Sequence, residues 1–151
     1  MIKKLTIIII TLLFNYTYSQ TNLVPNGSFE TYTNCPPTSN GNAPDYVAYS
    51  TDWHSSLNTP DYYNGCSTPT TVGVPNNFVG NQIAFDGLAY CGFVAYDKSI
   101  GYREALTAKL TSTLLIGQKY FISIKVSLAD KISFSYCGID KIGVLLSTKM
   151  Y

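Results

Sequence analysis

The sequence has few of the residues that enzymes and metal sites use. Only 13% of its 151 residues are charged, and His54 is the single histidine. Glu30 and Glu104 are the only glutamates, whereas a glycosidase needs two carboxylates set across its sugar. The chain has no Gly-x-Ser-x-Gly elbow, His-Glu-x-x-His helix or Gly-x-Gly-x-x-Gly loop. The sequence therefore predicts that the protein is not an enzyme. A small glycosidase using Asp61 and Asp86 is an alternative, although nothing in the sequence brings those two carboxylates together.

The N-terminus lacks the length of apolar chain that a membrane span requires. Two lysines precede an apolar run at residues 5–14, which is half of the roughly 20 residues needed to cross a bilayer. Thr17 and Ser19 are small residues at the −3 and −1 positions of a cleavage site. We expect residues 1–19 to be a signal peptide, and the mature chain to be secreted or to lie on the outer cell surface. No transmembrane span is expected after cleavage.

The mature chain also lacks an excess of either charge. Removing Lys3 and Lys4 from the ten basic residues leaves eight against nine acidic ones, so no basic surface is available for nucleic acid or anionic lipid. Aromatic residues make up 14% of the chain and include thirteen tyrosines. Low charge with many tyrosines, threonines and glycines is typical of an extracellular β domain. Residues 20–151 are long enough for one such domain.

Four cysteines occur, but no two have the Cys-x-x-Cys spacing of a redox or zinc motif. Cys35 and Cys66 lie in turn-rich sequence, and a bridge between them would close a long loop around Trp53. Cys91 and Cys137 lie in strand-like sequence, where each would be a buried thiol or would pair with the other. Three complete pairings are possible, and we favour a single Cys35–Cys66 bridge.

The chain divides into a loop-rich part at residues 31–81 and a strand-rich part from residue 82 onward. Residues 46–49 are expected to be a short extended piece within the first part. Four segments of the second part are expected to be strands, and their residues are 88–96, 102–110, 120–129 and 139–146. Leucines four residues apart also permit a helix at 102–110, but the neighbouring threonines favour a strand. Alternation of apolar and polar residues is clearest at 120–129. The pattern predicts an all-β fold, an antiparallel β-sandwich or jelly roll.

Three segments together resemble the galactose-binding-like jelly rolls of carbohydrate-binding modules. They are the nonapeptide from Asn22 to Glu30, the lone Trp53 after a loop, and the stretch from Gly138 to Val144. The wider order of motifs over residues 22–147 is similar to N-terminal domains of secreted Bacteroidetes-type surface proteins, some of which continue into an outer-membrane-protein-A-like domain. The resemblance implies that the sandwich lacks its last strand or strands, and that the protein continues beyond Tyr151.

In the proteins that this chain resembles, a glutamate after the first turn and an aspartate on the last strand hold a structural calcium ion. Glu30 and Asp140 are the matching positions, and they imply a calcium site that ties the first segment to the last strand. The other interpretation is that Glu30 is a solvated carboxylate at a strand edge and that Asp140 caps a turn.

The candidate ligand-binding residues are aromatic and lie in the loop-rich half. Sugars stack on aromatic rings while neighbouring polar groups bind their hydroxyls. The candidates for binding a glycan or another cell-surface polymer are Trp53, His54, Asp61, Tyr62 and Tyr63. We expect the protein to bind carbohydrate or to mediate adhesion at the cell surface. The alternative is that Trp53 fills the core of a purely structural N-terminal domain of a larger outer-membrane or secreted protein, which binds no sugar.

Overall fold

The computed structural model describes residues 21–37, 46–67, 71–131 and 138–149. The expected signal peptide, Cys137 and the chain end at Tyr151 lie outside the described residues. The structure therefore does not test whether Cys91 pairs with Cys137.

Short strands in small antiparallel sheets make up the regular structure of the described part of the chain. In chain order, the elements are a 3-10 helix (Tyr46–Tyr49), β1 (Trp53–Leu57), β2 (Asp61–Asn64), β3 (Asn76–Asn77), β4 (Gly80–Asn81), β5 (Ala89–Gly92) and β6 (Ala105–Ala108). Strand β1 pairs with β6, β2 with β5, and β3 with β4, always antiparallel. The expectation of a β-rich fold with almost no helix is thus confirmed.

The 3-10 helix corrects the sequence interpretation of residues 46–49, which were expected to be extended. Ser50 N–H donates to the Val47 carbonyl at 2.9 Å, which closes the turn. Val47 is fully buried, and the helix packs against β1 and β2. The turn lets one short segment place a core residue and then reverse direction into β1, which an extended segment would not do.

The core of the described region lies between the helix, β2 and β5. Its buried apolar side chains are Val47, Tyr62, Tyr63, Val72 and Ala89. Strand β5 follows the turn at Asp86 and Gly87, where Gly87 has φ of 69°. A Cβ atom at Gly87 would lie 2.2 Å from the Glu30 carboxyl carbon, so this close approach requires glycine.

Two predicted strands are confirmed in shortened form, and two are wrong. Strand β5 covers part of residues 88–96, and β6 covers part of 102–110, so the choice of strand over helix is correct. No strand occurs at residues 120–129 or 139–146. Ile124 and Leu128 are 51% and 60% exposed. Alternation shows which side chains would share a face, but a strand also needs a hydrogen-bonded neighbour, which these segments do not have among the described residues.

The predicted bridge between Cys35 and Cys66 is present, with the two Cα atoms 5.8 Å apart. The hydroxyl of Ser67 donates to the Pro36 carbonyl at 3.0 Å beside it. The bridge therefore fixes the segment after the first turn against the end of β2.

Within the described ranges, no helix has the length and apolar character to cross a membrane.

Candidate functional site

The nonapeptide from Asn22 to Glu30 forms a tight turn. Phe29 N–H donates to the Asn26 carbonyl at 2.9 Å. Within the Asn26–Gly27 pair only Asn26 has a positive φ (45°), and the second positive φ of the turn is at Phe29 (64°). Asparagine tolerates this conformation better than most residues because its short polar side chain can bond to the local backbone.

The Asn26 side chain connects this turn to the segment before β1. Its amide nitrogen lies 2.8 Å from the Thr31 carbonyl, 3.0 Å from the Ser50 hydroxyl and 2.9 Å from the Thr51 carbonyl. Its oxygen accepts the Thr31 N–H at 3.0 Å. Ser50 is fully buried, so Asn26 satisfies a hydroxyl that has no access to water.

Trp53 belongs to the same structural unit. Its indole N–H donates to the Asn26 carbonyl at 2.9 Å, and its ring lies 4.7 Å from that of Phe29. The indole is half-buried, so part of it reaches solvent, but its polar atom is used inside the protein. We call Asn26, Phe29, Ser50, Trp53 and Tyr62 the anchor cluster.

Tyr62 completes the anchor cluster from strand β2. Its hydroxyl donates to the Phe29 carbonyl at 2.9 Å and accepts from the Asn64 amide at 2.7 Å. The side chain is 1% exposed, and burial raises the pKa of Tyr62 to about 12. Tyr63, on the same strand, is 2% exposed. Both side chains are buried in this structure, and a role for them in binding a sugar stays a prediction from the sequence.

Replacing Tyr62 with phenylalanine is expected to lower the free energy of unfolding by about 1–2 kcal/mol. The ring would stay, but the Phe29 carbonyl and the Asn64 amide would each lose a buried partner. Denaturant unfolding measures the change. Tyr96→Phe is the matched control, since Tyr96 is 50% exposed, and we expect it to change stability by less than about 0.5 kcal/mol. Equal effects of the two substitutions would contradict the assigned role of the Tyr62 hydroxyl.

The remaining ligand candidates lie in different places. His54 is exposed on β1. Asp61 begins β2 and lines a broad cavity beside the β2–β5 sheet, which neither Trp53 nor Tyr62 lines. Of the five candidates, Asp61 and Tyr63 line this cavity, and Trp53, His54 and Tyr62 do not.

Tyrosines, aspartates and asparagines are among the residues that line the cavity. We call its residues Asp61, Asn77, Tyr90, Tyr96 and Tyr102 the tyrosine cavity. The Asn77 amide donates to the Tyr90 hydroxyl at 2.6 Å, and burial raises the pKa of Tyr90. Tyr63 lies beneath, its ring stacked 5.1 Å from that of Tyr90, and its hydroxyl donates to Asp61 at 3.4 Å. Rings, a carboxylate and an amide thus meet in one recess.

Glu104 holds one wall of the tyrosine cavity in place. One carboxylate oxygen accepts from the Tyr102 hydroxyl at 2.9 Å and from Thr59 at 3.4 Å, while the other accepts the Val94 N–H at 2.6 Å. These bonds connect β6 to the segments after β5 and before β2. The Glu104 carboxylate therefore positions Tyr102 within the cavity.

The expected calcium ligands are Glu30 and Asp140. Glu30 accepts the Leu88 N–H at 2.8 Å, which ties the first turn to the start of β5, and Asp140 is exposed. Within the described ranges, no group of three or more His, Cys, Asp or Glu side chains is placed to hold a metal ion. The calcium site stays a prediction from the sequence.

Sequence reasoning missed Asn77, Tyr90, Tyr96 and Tyr102, although the three tyrosines lie in the segments 88–96 and 102–110 that were expected to be strands. The alternation of side chains along a strand is the sequence signal that could have identified this site. Tyr62 and Tyr63 are adjacent on a strand, so their side chains point to opposite faces of the sheet. Asp61 and Tyr63 share a face, and Tyr63 is paired with Tyr90 of β5.

No family model matches the chain, and no curated protein or solved structure matches it significantly.

Proposed function

We propose that this chain is a secreted, non-catalytic module of the cell surface that binds carbohydrate, with its strands arranged as a β-sandwich or jelly roll. One observation carries the proposal: tyrosine rings, a carboxylate and an amide line one recess. The Cys35–Cys66 bridge supports placement in an oxidising compartment. The order of sequence motifs that resemble galactose-binding-like modules supports the choice of ligand class.

The tyrosine cavity suits a sugar better than the surroundings of Trp53 do. A pyranose has an apolar face that stacks on an aromatic ring and a rim of hydroxyls that need donors and acceptors. Tyr96 is half exposed and offers a ring, and the Asp61 carboxylate lines the same cavity. The Trp53 indole N–H, by contrast, is already bonded to the Asn26 carbonyl.

A structural domain that binds no sugar is the second candidate, and the anchor cluster favours it. The side chains of Trp53 and Tyr62 each donate a hydrogen bond to a backbone carbonyl of the first turn. In that case the aromatic residues of the loop-rich half would serve only to hold the nonapeptide against β1 and β2.

Polysaccharide binding distinguishes the two candidates. In affinity electrophoresis against a panel of neutral and acidic polysaccharides, we expect at least one polymer to retard the chain. Tyr96→Ala should weaken that binding about tenfold, or by about 1.4 kcal/mol, because a stacking surface is lost.

Tyr32→Ala is the matched control, because Tyr32 is 41% exposed and does not line the tyrosine cavity. It should bind as the unsubstituted chain does. If no polymer retards the folded chain, the structural alternative is correct. If Tyr32→Ala and Tyr96→Ala weaken binding equally, the sugar does not bind in the tyrosine cavity.

A further inference from the structure

The wall of the tyrosine cavity carries more negative than positive charge. Among the described residues, four carboxylates and two lysines line it, and they are Asp61, Asp97, Glu104, Asp130, Lys98 and Lys125. Arg103 stacks on Tyr96 but does not line the cavity, and the carboxylates stay in excess even when its charge is counted. Apart from Lys3 and Lys4 in the expected signal peptide, every basic residue of the chain lies in the described ranges. No other part of the mature chain therefore supplies a cation to this wall.

The lysines of the wall do not neutralise its carboxylates. In the part of the chain that the structure describes, neither lysine forms an ion pair, and the Lys125 ammonium lies 4.8 Å from the ring centre of Phe85. The donors to Glu104 are two hydroxyls and the Val94 N–H, and all three are neutral. A neutral donor favours the ionised form of a carboxylate and leaves its charge in place. The excess negative charge of the wall can therefore act on a ligand.

Two of the carboxylates, Asp61 and Glu104, lie on the same part of the wall. The Tyr63 hydroxyl donates to Asp61 at 3.4 Å, and burial together with the charges of Asp61 and Glu104 raises the pKa of Tyr63. Strand pairing explains this proximity, because Asp61 lies opposite Gly92 of β5 and Glu104 accepts the N–H of Val94, two residues farther along. Both carboxylates are half-buried, so water screens them less than it would at an open surface.

The aromatic rings of the same wall also favour a cation. The face of an aromatic ring carries partial negative charge, which attracts an ammonium or guanidinium group. The Arg103 guanidinium carbon is 5.0 Å from the ring centre of Tyr96, and Lys125 lies over Phe85 in the same way. Rings and carboxylates therefore select the same sign of charge in a ligand.

We propose that the ligand of the tyrosine cavity is a polysaccharide of amino sugars with unacetylated amino groups, whose ammonium groups pair with Asp61 and Glu104 while a sugar ring stacks on Tyr96. This inference rests on the proposed function and names its ligand class. An ammonium group offers three N–H donors, and its bonds to a carboxylate are stronger than those of a neutral hydroxyl. The same carboxylates would repel an acidic polymer. A basic peptide would supply the charge but no pyranose face for Tyr96.

The test compares two saccharides that differ in acetylation alone. The β-1,4-linked glucosamine hexamer and its fully N-acetylated form share one backbone, and only the first carries ammonium groups. The buffer is set at about pH 5.5, where side-chain carboxylates are ionised. In about 20 mM NaCl, we expect the folded chain to bind the glucosamine hexamer about tenfold more tightly than the acetylated hexamer. The difference should fall as salt is raised to about 500 mM. Isothermal titration calorimetry measures both affinities.

Three substitutions locate the charge that is recognised. Asp61→Asn and Glu104→Gln each remove one charge with little change in shape, and each should lower the preference about threefold. The double variant Asp61→Asn/Glu104→Gln should abolish it. Asp52→Asn is the matched control and should keep the preference, because Asp52 is exposed and does not line the cavity. Thermal melting confirms that each variant is folded, and the single variants keep the test valid if the double variant is not.

The outcomes separate failure of this inference from failure of the proposed function. Equal affinity for the two hexamers overturns the inference, as does a preference that the carboxylate variants retain or that Asp52→Asn also loses. Hexalysine bound as tightly as the glucosamine hexamer overturns it too, because the cavity would then recognise charge without a sugar ring. If neither hexamer binds but another polysaccharide retards the chain, the inference is wrong and the proposed function stands. Failure of the hexamers and of every polysaccharide overturns the proposed function itself.

Discussion

Replacing Asn26 with alanine is expected to lower the free energy of unfolding by about 3–5 kcal/mol, the largest effect of any single substitution considered for this protein. The two N–H groups of the Asn26 amide are shared among two carbonyls and a buried hydroxyl, and its oxygen accepts one N–H group. Each lost bond costs about 1 kcal/mol, and more where its partner is left buried without water. Since domains are stable by only about 5–15 kcal/mol, the variant should unfold at markedly lower denaturant concentration.

Two further variants separate the causes of this loss. Asn26 has φ of 45°, where alanine is strained but glycine is not, so Asn26→Gly isolates the hydrogen bonds from the strain. We expect Asn26→Gly to recover about 1 kcal/mol relative to Asn26→Ala.

Asn22→Ala is the matched control for a second asparagine in the nonapeptide. The Asn22 side chain is exposed and accepts one local bond, from the Val24 N–H at 3.1 Å. We expect a loss below about 0.5 kcal/mol from this change. Chemical denaturation measures all three variants. If Asn26→Ala proves no worse than Asn22→Ala, the turn is not held by the Asn26 amide.

Loss of the Cys35–Cys66 bridge is expected to cost about 3–4 kcal/mol. The two cysteines are 31 residues apart, and opening a loop of that length returns chain entropy to the unfolded state. Cys35→Ser/Cys66→Ser should therefore melt well below the oxidised chain. The measurement is thermal unfolding with and without a thiol reductant.

The reductant itself supplies the control for the bridge. It should lower the melting temperature of the unsubstituted chain to near that of the double serine variant, and it should leave the double variant unchanged. A reductant effect that persists in full in the double variant would place the stabilising bridge at Cys91 and Cys137 instead.

The local features of the fold could be predicted because neighbouring residues determine them. Gly87 permits a positive φ after Asp86, and β5 follows that turn. Threonine and its neighbours favour β6 as a strand. The Cys35–Cys66 bridge could be predicted because both cysteines lie in turn-rich sequence of a chain expected to be secreted, and oxidising conditions favour such a pairing.

The candidate site was harder to predict, because its residues meet through contacts between distant parts of the chain. Asn26 reaches Ser50 and Thr51, 24 and 25 residues away, and no pattern in the nonapeptide names those partners. Tyr62 and Asp61 are adjacent in sequence, yet Tyr62 enters the core while Asp61 lines the tyrosine cavity. Only the pairing of β2 with β5 and the position of the first turn decide which face of β2 each residue occupies.

The sequence by itself determined the β-rich character of the chain, the turn at Gly87 and the disulfide, because propensity, glycine conformation and cysteine context act over a few residues. The tertiary structure alone decided that the Trp53 indole serves the first turn, and that tyrosines and cations from separate segments surround one cavity. It also left the alternating segment at residues 120–129 without strand pairing among the described residues. Alternation specifies which side chains share a face, but burial requires a second surface, and its identity depends on long-range pairing.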